Sequence, residues 1–386
     1  MLTSITLKDY TTFIGETKID FRTTDSTILN ETNTNNKVLK GCLFVGENAS
    51  GKTQILMAIK MLLDLLFSYN DVSIIRKKSM YTKGVKYELK YAFLIDNSEI
   101  EYDIVFSGSS IDSEKLTLNS ELLLERRKKS GKTYYNHETK IIQKINEKLL
   151  LLKQEYYNTR FENNKILNKW FDFLKNSVYV NCLFGKTITY DSTAVDDLIP
   201  EKYAEKNTTE ELNTLLAKFG YNSELVFNKK FSNIDDSIVI NAHENIIGVR
   251  KKGTDLVMPL QFESTGNKVL INVLLPILHS IRNNSMLLID EFSSGMHNEL
   301  EEALIRFFFN NSKKSQLFFV SHSTNILDTF ILRPDQIYSL QFVPGKGTII
   351  NRFSDEKPRE SQNIEKMYLG GVFDGLPKYS KEFKIK

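Results

Sequence analysis

The chain has 386 residues, of which 41% are hydrophobic and 26% charged, a composition typical of a globular protein with a sizeable core. Its 51 basic and 48 acidic residues leave a net charge of +3, which neither favours nor excludes a nucleic-acid partner. Two cysteines are too few for a disulfide framework or a zinc site. No apolar run reaches the roughly 20 residues that span a bilayer and no signal-peptide pattern opens the chain, so we expect a cytoplasmic protein without a membrane segment.

The first part of the chain predicts strands that lead into a glycine-rich turn. Residues Met1–Phe21 alternate apolar and polar side chains, as half-buried strands do. A polar loop follows, and the apolar run Val38–Val45 predicts a further strand. After the turn, Lys52–Ser68 predicts a helix, and the segments Val85–Ile95 and Glu99–Phe106 predict a hairpin.

The glycine-rich turn matches the pattern G-x-x-x-x-G-K-[ST] in full, and we call Gly46–Thr53 the phosphate loop. The nucleotide contacts that it predicts are Gly46, Glu47, Asn48, Ala49, Ser50, Gly51, Lys52, Thr53 and Gln54. Successive N–H groups of such a loop, and the N-terminus of the helix behind it, point at phosphate. Lys52 would reach the β- and γ-phosphates of ATP, and Thr53 would hold Mg²⁺. Two other Gly-Lys-Thr strings, at Gly131 and Gly185, lack the first glycine and are not expected to bind a nucleotide.

The middle of the chain carries weaker signals. From about Asn136 to Asn176 the pattern is helical and polar, and residues 187–233 are mixed. The basic run Arg126–Lys129 is typical of a solvated face or loop tip, while contact with DNA or RNA stays open. The helical stretch is too short for a long coiled coil.

Strands and helices alternate again from a predicted strand at Ile238–Ile240 to Phe353, which favours an α/β sheet. The apolar run Met286–Ile289 reads as a buried parallel strand, and two carboxylates follow at its ligand-binding end. Asp290 would hold Mg²⁺, and Glu291 would polarise the attacking water. In isolation the pair would be better explained as a solvent-facing acidic loop, but the phosphate loop upstream favours catalysis.

A histidine follows the next predicted strand, Leu317–Val320, one strand–helix unit after the acidic pair. A lone histidine is more often structural than catalytic, but at this sheet edge His322 can contact the γ-phosphate of ATP. Lys52, Glu291 and His322 are therefore the candidate catalytic residues.

A second candidate anion site precedes the acidic pair. Residues Glu263–Lys268 open the predicted helix Val269–Ile281, and we call Glu263–Gly266 the signature turn. Ser264 and Gly266 would hold phosphate at the helix N-terminus. One chain already has a phosphate loop, so this turn would serve the nucleotide of another chain. The alternative, which the turn alone favours, is an ordinary N-cap by Ser264.

These motifs, in this order, resemble the ABC/SMC-type ATPase heads. Within that group the chain is most similar to SMC-related ATPases of bacterial anti-phage systems: the AbiL and RloA group, AriA of PARIS, PtuA and, more distantly, the OLD-family ATPases. The signature turn resembles their signature motif, Phe292–His297 their D-loop and Ser321–Ser323 their H-loop. Segments Arg333–Tyr338 and Ile364–Gly371 also resemble this group. The resemblance does not place a Q-loop glutamine.

The resemblance implies an α/β fold of the ABC-type ATPase head: a P-loop sheet with flanking helices and N-terminal antiparallel strands, plus a short helical insert. Residues 1–135 would form the first part of the head and 136–235 the helical or mixed insert. Residues 236–353 would form the second part of the head, and 354–386 a C-terminal appendage.

The resemblance also implies ATP, Mg²⁺ and a homodimer or higher homo-oligomer. ATP would lie between the phosphate loop of one chain and Ser264 and Gly266 of the other. In such systems the ATPase senses infection, for example through a phage protein, and controls a separately encoded toxic effector, often a Toprim-fold nuclease. The chain has no nuclease motif of its own, so we expect the sensor and scaffold of an abortive-infection system.

Two alternatives belong to other classes. A DNA-repair or chromosome-associated clamp would bind duplex DNA, although the short insert argues against its long-armed forms. A transporter-coupled ATPase ranks last, because no membrane segment is predicted and the separation between Thr53 and Glu263 is unlike transporter heads.

Overall fold

A computed structural model describes residues 1–69, 71–72, 77, 79–135, 138–159, 161, 164–200, 202–203, 209–228 and 246–377. The predicted strand Ile238–Ile240 and the predicted boundary between residues 235 and 236 lie outside these ranges.

The strands follow the chain in this order: β1 (Leu2–Lys8), β2 (Glu16–Asp20), β3 (Thr34–Asn35), β4 (Val38–Leu39), β5 (Gly41–Gly46), β6 (Lys86–Ile95), β7 (Ser98–Ser107), β8 (Ser110–Leu118), β9 (Glu121–Arg127), β10 (Ser130–Thr133), β11 (Lys140–Gln143), β12 (Val178–Asn181), β13 (Lys186–Thr189), β14 (Ser223–Asn228), β15 (Ile246–Lys251), β16 (Val257–Pro259), β17 (Met286–Asp290), β18 (Gln316–Val320), β19 (Ile337–Val343) and β20 (Gly347–Arg352).

The helices that the described ranges contain are α1 (Asn30–Asn33), α2 (Lys52–Phe67), α3 (Leu151–Thr159), α4 (Lys165–Lys175), α5 (Val195–Leu198), α6 (Thr209–Lys218), α7 (Thr265–Asn283), α8 (Asn298–Asn311) and α9 (Ile364–Leu369).

The central sheet has the order β13-β12-β17-β18-β5-β19-β20 among the described strands. Neighbours from β12 to β19 run parallel, and the two edge strands run antiparallel. All five residues of β17 and of β18 are buried, as expected for strands covered on both faces. The predicted α/β sheet is confirmed.

A second sheet is antiparallel throughout, with the order β11-β10-β9-β8-β7-β6-β1-β2 within the described ranges. In β6, buried residues alternate with more exposed ones, because one face packs on the core. Strands β6 and β7 pair from Lys86↔Ser107 to Ile95↔Ser98, which confirms the predicted hairpin. This sheet supplies the predicted N-terminal antiparallel strands.

Helix α2 joins the two sheets into one core. Ten of its 16 residues are buried, among them Ile55, Ile59 and Leu62. They pack in one cluster with β1, β6 and the face of the central sheet that carries Leu288 and Phe318. Helices α7 and α8 pack with the opposite face of that sheet. Helix α2, which follows the phosphate loop, is thus held between the antiparallel sheet and the central sheet.

The middle of the chain differs from a self-contained helical insert. The segment from Asn136 to Asn176 contains β11 as well as α3 and α4. Strand β12 lies inside the predicted insert, yet it pairs with β17 from Val178↔Leu287 to Asn181↔Asp290. All four residues of β12 are buried, as expected for a strand within a parallel sheet. The three boundaries between the four predicted segments stay predictions.

The basic run Arg126–Lys129 is not a uniformly solvated face. The Arg126 side chain is 0% exposed and forms an ion pair of 2.8 Å with Glu114. Glu114 also accepts hydrogen bonds from the first backbone N–H groups of α3, at Leu151 and Leu152. A buried charge that loses its partner costs about 3–5 kcal/mol. Arg126 therefore anchors the start of α3.

The C-terminal segment packs on the head as far as it is described. Phe373 stacks on Phe353 with ring centroids 3.8 Å apart, and Tyr368 contacts the same ring. Across the described parts of the chain, every helix is too short or too polar to cross a membrane.

Candidate active site

Three neighbouring parallel strands bring the predicted site residues to one edge of the central sheet. The phosphate loop follows β5, the acidic pair ends β17, and His322 follows β18. Strand β18 lies between the other two and runs parallel to both. Carboxyl ends of adjacent parallel strands share an edge, which is where such sheets bind ligands.

Two glycines make the shape of the phosphate loop possible. Gly46 has φ 142°, and a Cβ there would lie 2.2 Å from the carbonyl oxygen of Leu340 in β19. Gly51 has φ 107°, and its Cβ would lie 2.8 Å from the hydroxyls of Thr12 and Thr348. Only glycine fits both the backbone conformation and the space.

Thr348 holds the loop from below. Its Oγ1 donates to the carbonyl oxygen of Ser50 at 2.8 Å and lies 2.7 Å from Thr12 Oγ1. The run Asp9–Phe13 thus lies next to this support of the phosphate loop, with Thr12 in contact with Thr348. Neither Thr12 nor Thr348 was a predicted site residue, since isolated threonines carry no sequence signal.

The N-terminus of α2 is left open toward a ligand. Its N-cap is Gly51, and no side chain caps the first turn. Free N–H groups at a helix N-terminus bind phosphate. Lys52 Nζ donates to the carbonyl oxygens of Gly46 and Glu47, each at 2.8 Å, and so lies across the loop. Burial lowers the pKa of Lys52, while Glu291 and Asp290 act in the opposite direction.

The other predicted loop residues surround this cradle. Glu47 Oε1 accepts a hydrogen bond from the backbone N–H of Phe342 at 3.1 Å. Asn48 and Ala49 are exposed at the tip of the loop, and Ala49 has a positive φ of 62°. The backbone N–H of Gln54 donates to the carbonyl oxygen of Gly51.

Thr53 and Asp290 form an oxygen pair that fits a magnesium ion. Thr53 Oγ1 donates to Asp290 Oδ1 at 3.0 Å. Mg²⁺ prefers oxygen ligands and combines one or two carboxylates with substrate phosphates. Within the described ranges no group of three or more His, Cys, Asp or Glu residues could hold a metal. Phosphate oxygens of a bound nucleotide would add further ligands beside Thr53 and Asp290. Burial raises the pKa of Asp290, and the hydrogen bond from Thr53 opposes this rise.

Asn181 and Tyr179 also contact Asp290, although neither was predicted from the sequence. Asn181 Nδ2 donates to Asp290 Oδ2 at 3.2 Å, and the Tyr179 hydroxyl lies 3.5 Å from the same oxygen. Tyr179 and Asn181 are two positions apart on β12 and therefore lie on the same face of that strand, which pairs with β17. The sequence signal for Asn181 was a polar residue at the end of the short buried strand β12. No recognisable motif surrounds it, so the signal was too weak to predict a site residue.

Glu291 and His322 lie opposite each other at the same edge. His322 Nε2 is 3.5 Å from Glu291 Oε2. Glu291 has a positive φ of 56°, a conformation that non-glycine residues adopt rarely and often at functional sites. The backbone N–H of His322 donates to Ser293 Oγ of the predicted D-loop at 3.3 Å. The structure thus brings Lys52, Asp290, Glu291 and His322 to one site, and their catalytic roles stay predictions.

The signature turn lies at the surface, where α7 begins. Ser264 is the N-cap of α7, with its Oγ accepting from the Asn267 N–H at 3.3 Å. Ser264 is exposed, and its hydroxyl hydrogen is free to be donated outward. The predicted N-cap alternative is therefore realised in this chain, and it leaves the phosphate-binding role open.

The signature turn is supported from behind. Glu263 accepts from the Ser264 N–H at 2.7 Å and from the Tyr221 hydroxyl at 3.3 Å. A Cβ on Gly266 would lie 2.9 Å from the carbonyl oxygen of Gly295. The signature turn and the predicted D-loop are thus in direct contact.

Glu301 of α8 is a buried carboxylate that sequence reasoning missed. It is 0% exposed, and Ser323 Oγ donates to its Oε2 at 2.6 Å. Ser323 Oγ also lies 3.3 Å from Asn298 Oδ1 at the start of α8. Burial raises the pKa of Glu301. Its spacing with Ile305 and Phe308 places it on the buried face of α8, a signal that could have found it.

The sequence matches a protein-family profile described as "AAA domain, putative AbiEii toxin, Type IV TA system" over residues 43–328. The matched stretch contains the phosphate loop, the signature turn, the acidic pair and His322. No curated protein matches the chain at a significant level.

Solved structures of SMC heads share the fold. The SMC head bound to the C-terminal winged-helix domain of ScpA is 14% identical, with a TM-score of 0.50 over 92% of this chain and 99% of that chain. The SMC head with an extended coiled coil, bound to the C-terminal domain of ScpA from Pyrococcus furiosus, is 13% identical. Its TM-score is 0.50, over 92% of this chain and 97% of that one. The fold is that of an ABC-type ATPase head, as the sequence predicted.

Proposed function

This chain belongs to that AAA-domain family, and from this premise we propose that it binds and hydrolyses ATP at sites shared between two copies of itself. The observation that carries the proposal is that one chain has both a complete phosphate loop and, at its surface, an exposed signature turn. Lys52 and the uncapped start of α2 offer donors to a triphosphate. Ser264 offers a free hydroxyl at the surface, where a second chain can reach it.

The hydrolytic step follows from the residues at the sheet edge. In the proposed step Glu291 would orient a water molecule for attack on the γ-phosphorus, and His322, 3.5 Å from it, would donate a hydrogen bond to a γ-phosphate oxygen. A Mg²⁺ ion on Thr53 and Asp290 would offset the negative charge of the phosphates. Lys52 itself is buried, and its positive charge would act where electrostatic stabilisation is strongest.

A mixing experiment tests the shared site. Lys52→Ala removes the phosphate contact, and Ser264→Arg blocks the surface that a second chain would approach, so each variant alone should lose ATP hydrolysis. A mixed dimer keeps one site with an intact Lys52 from one chain and an intact Ser264 from the other. We therefore expect partial recovery of phosphate release when the two variants are combined.

Two results would contradict the shared site. One is Ser264→Arg turning over ATP like the wild type, and the other is a mixture that stays inactive although both variants are folded. Lys218→Ala, an exposed lysine on α6, is the matched control and should behave like the wild type.

We further propose that the ATPase acts as sensor and scaffold of a bacterial anti-phage system and controls a separate toxic effector, of which a Toprim-type nuclease is the leading candidate. The toxin–antitoxin wording of the family description supports this role. SMC heads bound to ScpA domains support docking of a separately encoded protein on a head of this fold.

Phage protection in cells tests the defence role. Cells that carry the gene with its neighbouring genes should survive or abort infection, and Lys52→Ala should abolish the effect. Protection that persists with Lys52→Ala would refute ATP-dependent control.

A clamp on duplex DNA is the second candidate, and the SMC-head fold favours it. It predicts ATP-strengthened binding to duplex DNA that weakens steeply with salt. Phage protection without such binding would favour the defence role.

A further inference from the structure

An aromatic pair with one exposed and one half-buried ring lies beside the phosphate loop. The Tyr81 and Phe342 rings have centroids 5.3 Å apart and are tilted by 48°. Tyr81 is 58% exposed, which is unusual for a large ring that already packs on another. None of the motifs uses either residue.

Phe342 is fixed directly to the loop. Strand β19 pairs with β5 so that Leu340 lies opposite Gly46, and Phe342 follows two residues later on the same face of the strand. The Phe342 N–H donates to Glu47 Oε1 at 3.1 Å. One hydrogen bond therefore separates the ring pair from the second residue of the phosphate loop.

Tyr81 is held against the same region. The Tyr81 N–H donates to Ser79 Oγ at 3.2 Å, and the Ser79 N–H donates to the carbonyl oxygen of Asp9 at 2.9 Å. Asp9 begins the loop whose Thr12 contacts Thr348 beneath the phosphate loop. The segment that carries Tyr81 is thus tied to the loop that lies beneath the phosphate loop.

We propose that Tyr81 and Phe342 form the platform on which the base of the bound nucleoside triphosphate stacks, with a purine preferred. This inference rests on the proposed function and deepens it, because the phosphate loop grips only the part that all nucleotides share. An open aromatic face binds a base by stacking, and a purine has the larger π surface. Tyr81 supplies the open face, and Phe342 fixes its position relative to the loop.

Binding of two ligands, one with a base and one without, tests the platform. The ligands are a non-hydrolysable ATP analogue and inorganic tripolyphosphate, each with Mg²⁺ and each titrated by calorimetry. Tyr81→Ala should weaken binding of the ATP analogue about tenfold and leave tripolyphosphate unchanged, since stacking contributes only when a base is present. Tyr81→Phe keeps the ring and should bind both like the wild type.

The controls separate this inference from the proposed function. Tyr157 is similarly exposed, at 56%, and contacts Tyr156 at 5.2 Å between ring centroids, so Tyr157→Ala is a matched change elsewhere. Lys52→Ala should weaken both ligands. If it weakens neither, the proposed function fails. If Lys52→Ala weakens both ligands but Tyr81→Ala changes neither, or changes both equally, the platform alone is refuted.

Discussion

The phosphate loop and the signature turn both present a helix N-terminus to anions, but they are built in opposite ways. The phosphate loop lies at the edge of the central sheet and is held there by Thr348, by Asp290 and by its own Lys52. The signature turn lies at the surface, with Ser264 exposed and its helix already capped. The first is complete within one chain, whereas the second has an outward face that the same chain does not cover.

Because of this difference, the proposed ATPase would be able to bind a nucleotide before it binds a second copy. A pre-organised loop loses little freedom on binding phosphate, so one copy would be able to hold ATP alone. The exposed turn would contribute only in the proposed dimer. ATP binding and closure of that dimer would then be separable steps, and each could be altered by itself.

The largest expected effect separates closure from hydrolysis. Glu291→Gln should slow phosphate release about 100-fold or more, because the group that orients the water is lost. ATP binding should survive, and ATP should then trap the dimer, seen by light scattering. Glu299→Gln, an exposed change in the first turn of α8, is the control. Turnover like that of the wild type would remove Glu291 from the mechanism.

A smaller effect should appear when the signature turn alone is disturbed. Gly266→Ala places a methyl group 2.9 Å from the Gly295 carbonyl oxygen and should push the two loops apart. We expect ATP-dependent dimerisation to weaken about tenfold, the effect of one lost contact of roughly 1.4 kcal/mol, with ATP binding to the single chain unchanged. In Gly84→Ala the new methyl group meets nothing within 4 Å, so that variant should dimerise normally. If Gly266→Ala weakened ATP binding to the single chain as much as it weakened dimerisation, the signature turn and the phosphate loop would not act separately.

A substitution beneath the phosphate loop should instead weaken ATP binding to the single chain. Thr348→Val removes the hydroxyl that donates to the Ser50 carbonyl oxygen, a hydrogen bond worth about 1 kcal/mol. ATP affinity of the single chain should fall severalfold, measured by calorimetry. Thr214→Val removes a hydroxyl of a helix surface, which bonds Glu210, and serves as control. Unchanged affinity would show that the loop does not need this support.

The smallest effect concerns the buried carboxylate of α8. Folding raises the pKa of Glu301 above its ordinary value of 4.5, so the folded state holds its proton more tightly than the unfolded state. The stability contributed by this group is present below that value and is lost as pH rises through the raised pKa. Glu301→Gln has no titrating group at this position, so its stability should not fall as pH rises. Its free energy of unfolding, measured with urea, should exceed that of the wild type by about 1 kcal/mol toward neutral pH. A pH-independent difference would contradict the shift.

Parts of the site with a local pattern could be predicted from the sequence. The phosphate loop spans eight consecutive residues with a recognisable pattern, and the buried apolar strand that precedes Asp290 was correctly located from its own sequence. Their neighbourhood in space followed from the rule that parallel strands bind ligands at one edge.

The rest depends on contacts between distant segments. Asn181 reaches Asp290 across 109 residues, and Thr348 reaches Ser50 across 298, so no local pattern reports them. Arg126 looked like part of a basic surface because its neighbours are charged. Its burial is set by Glu114, a residue on an adjacent strand. Periodicity reveals faces, but not which faces meet.

Strand β12 connects the middle of the chain directly to the candidate active site. It enters the central sheet from that region, its last residue touches Asp290, and the Cys182 N–H donates to the Asp290 carbonyl oxygen. The turn just beyond it exposes Leu183 and Phe184 to solvent. Any displacement of this turn would therefore act on Asp290 through the side chain of Asn181 and the backbone N–H of Cys182. Only a few residues separate an exposed surface from the carboxylate that we propose as a magnesium ligand.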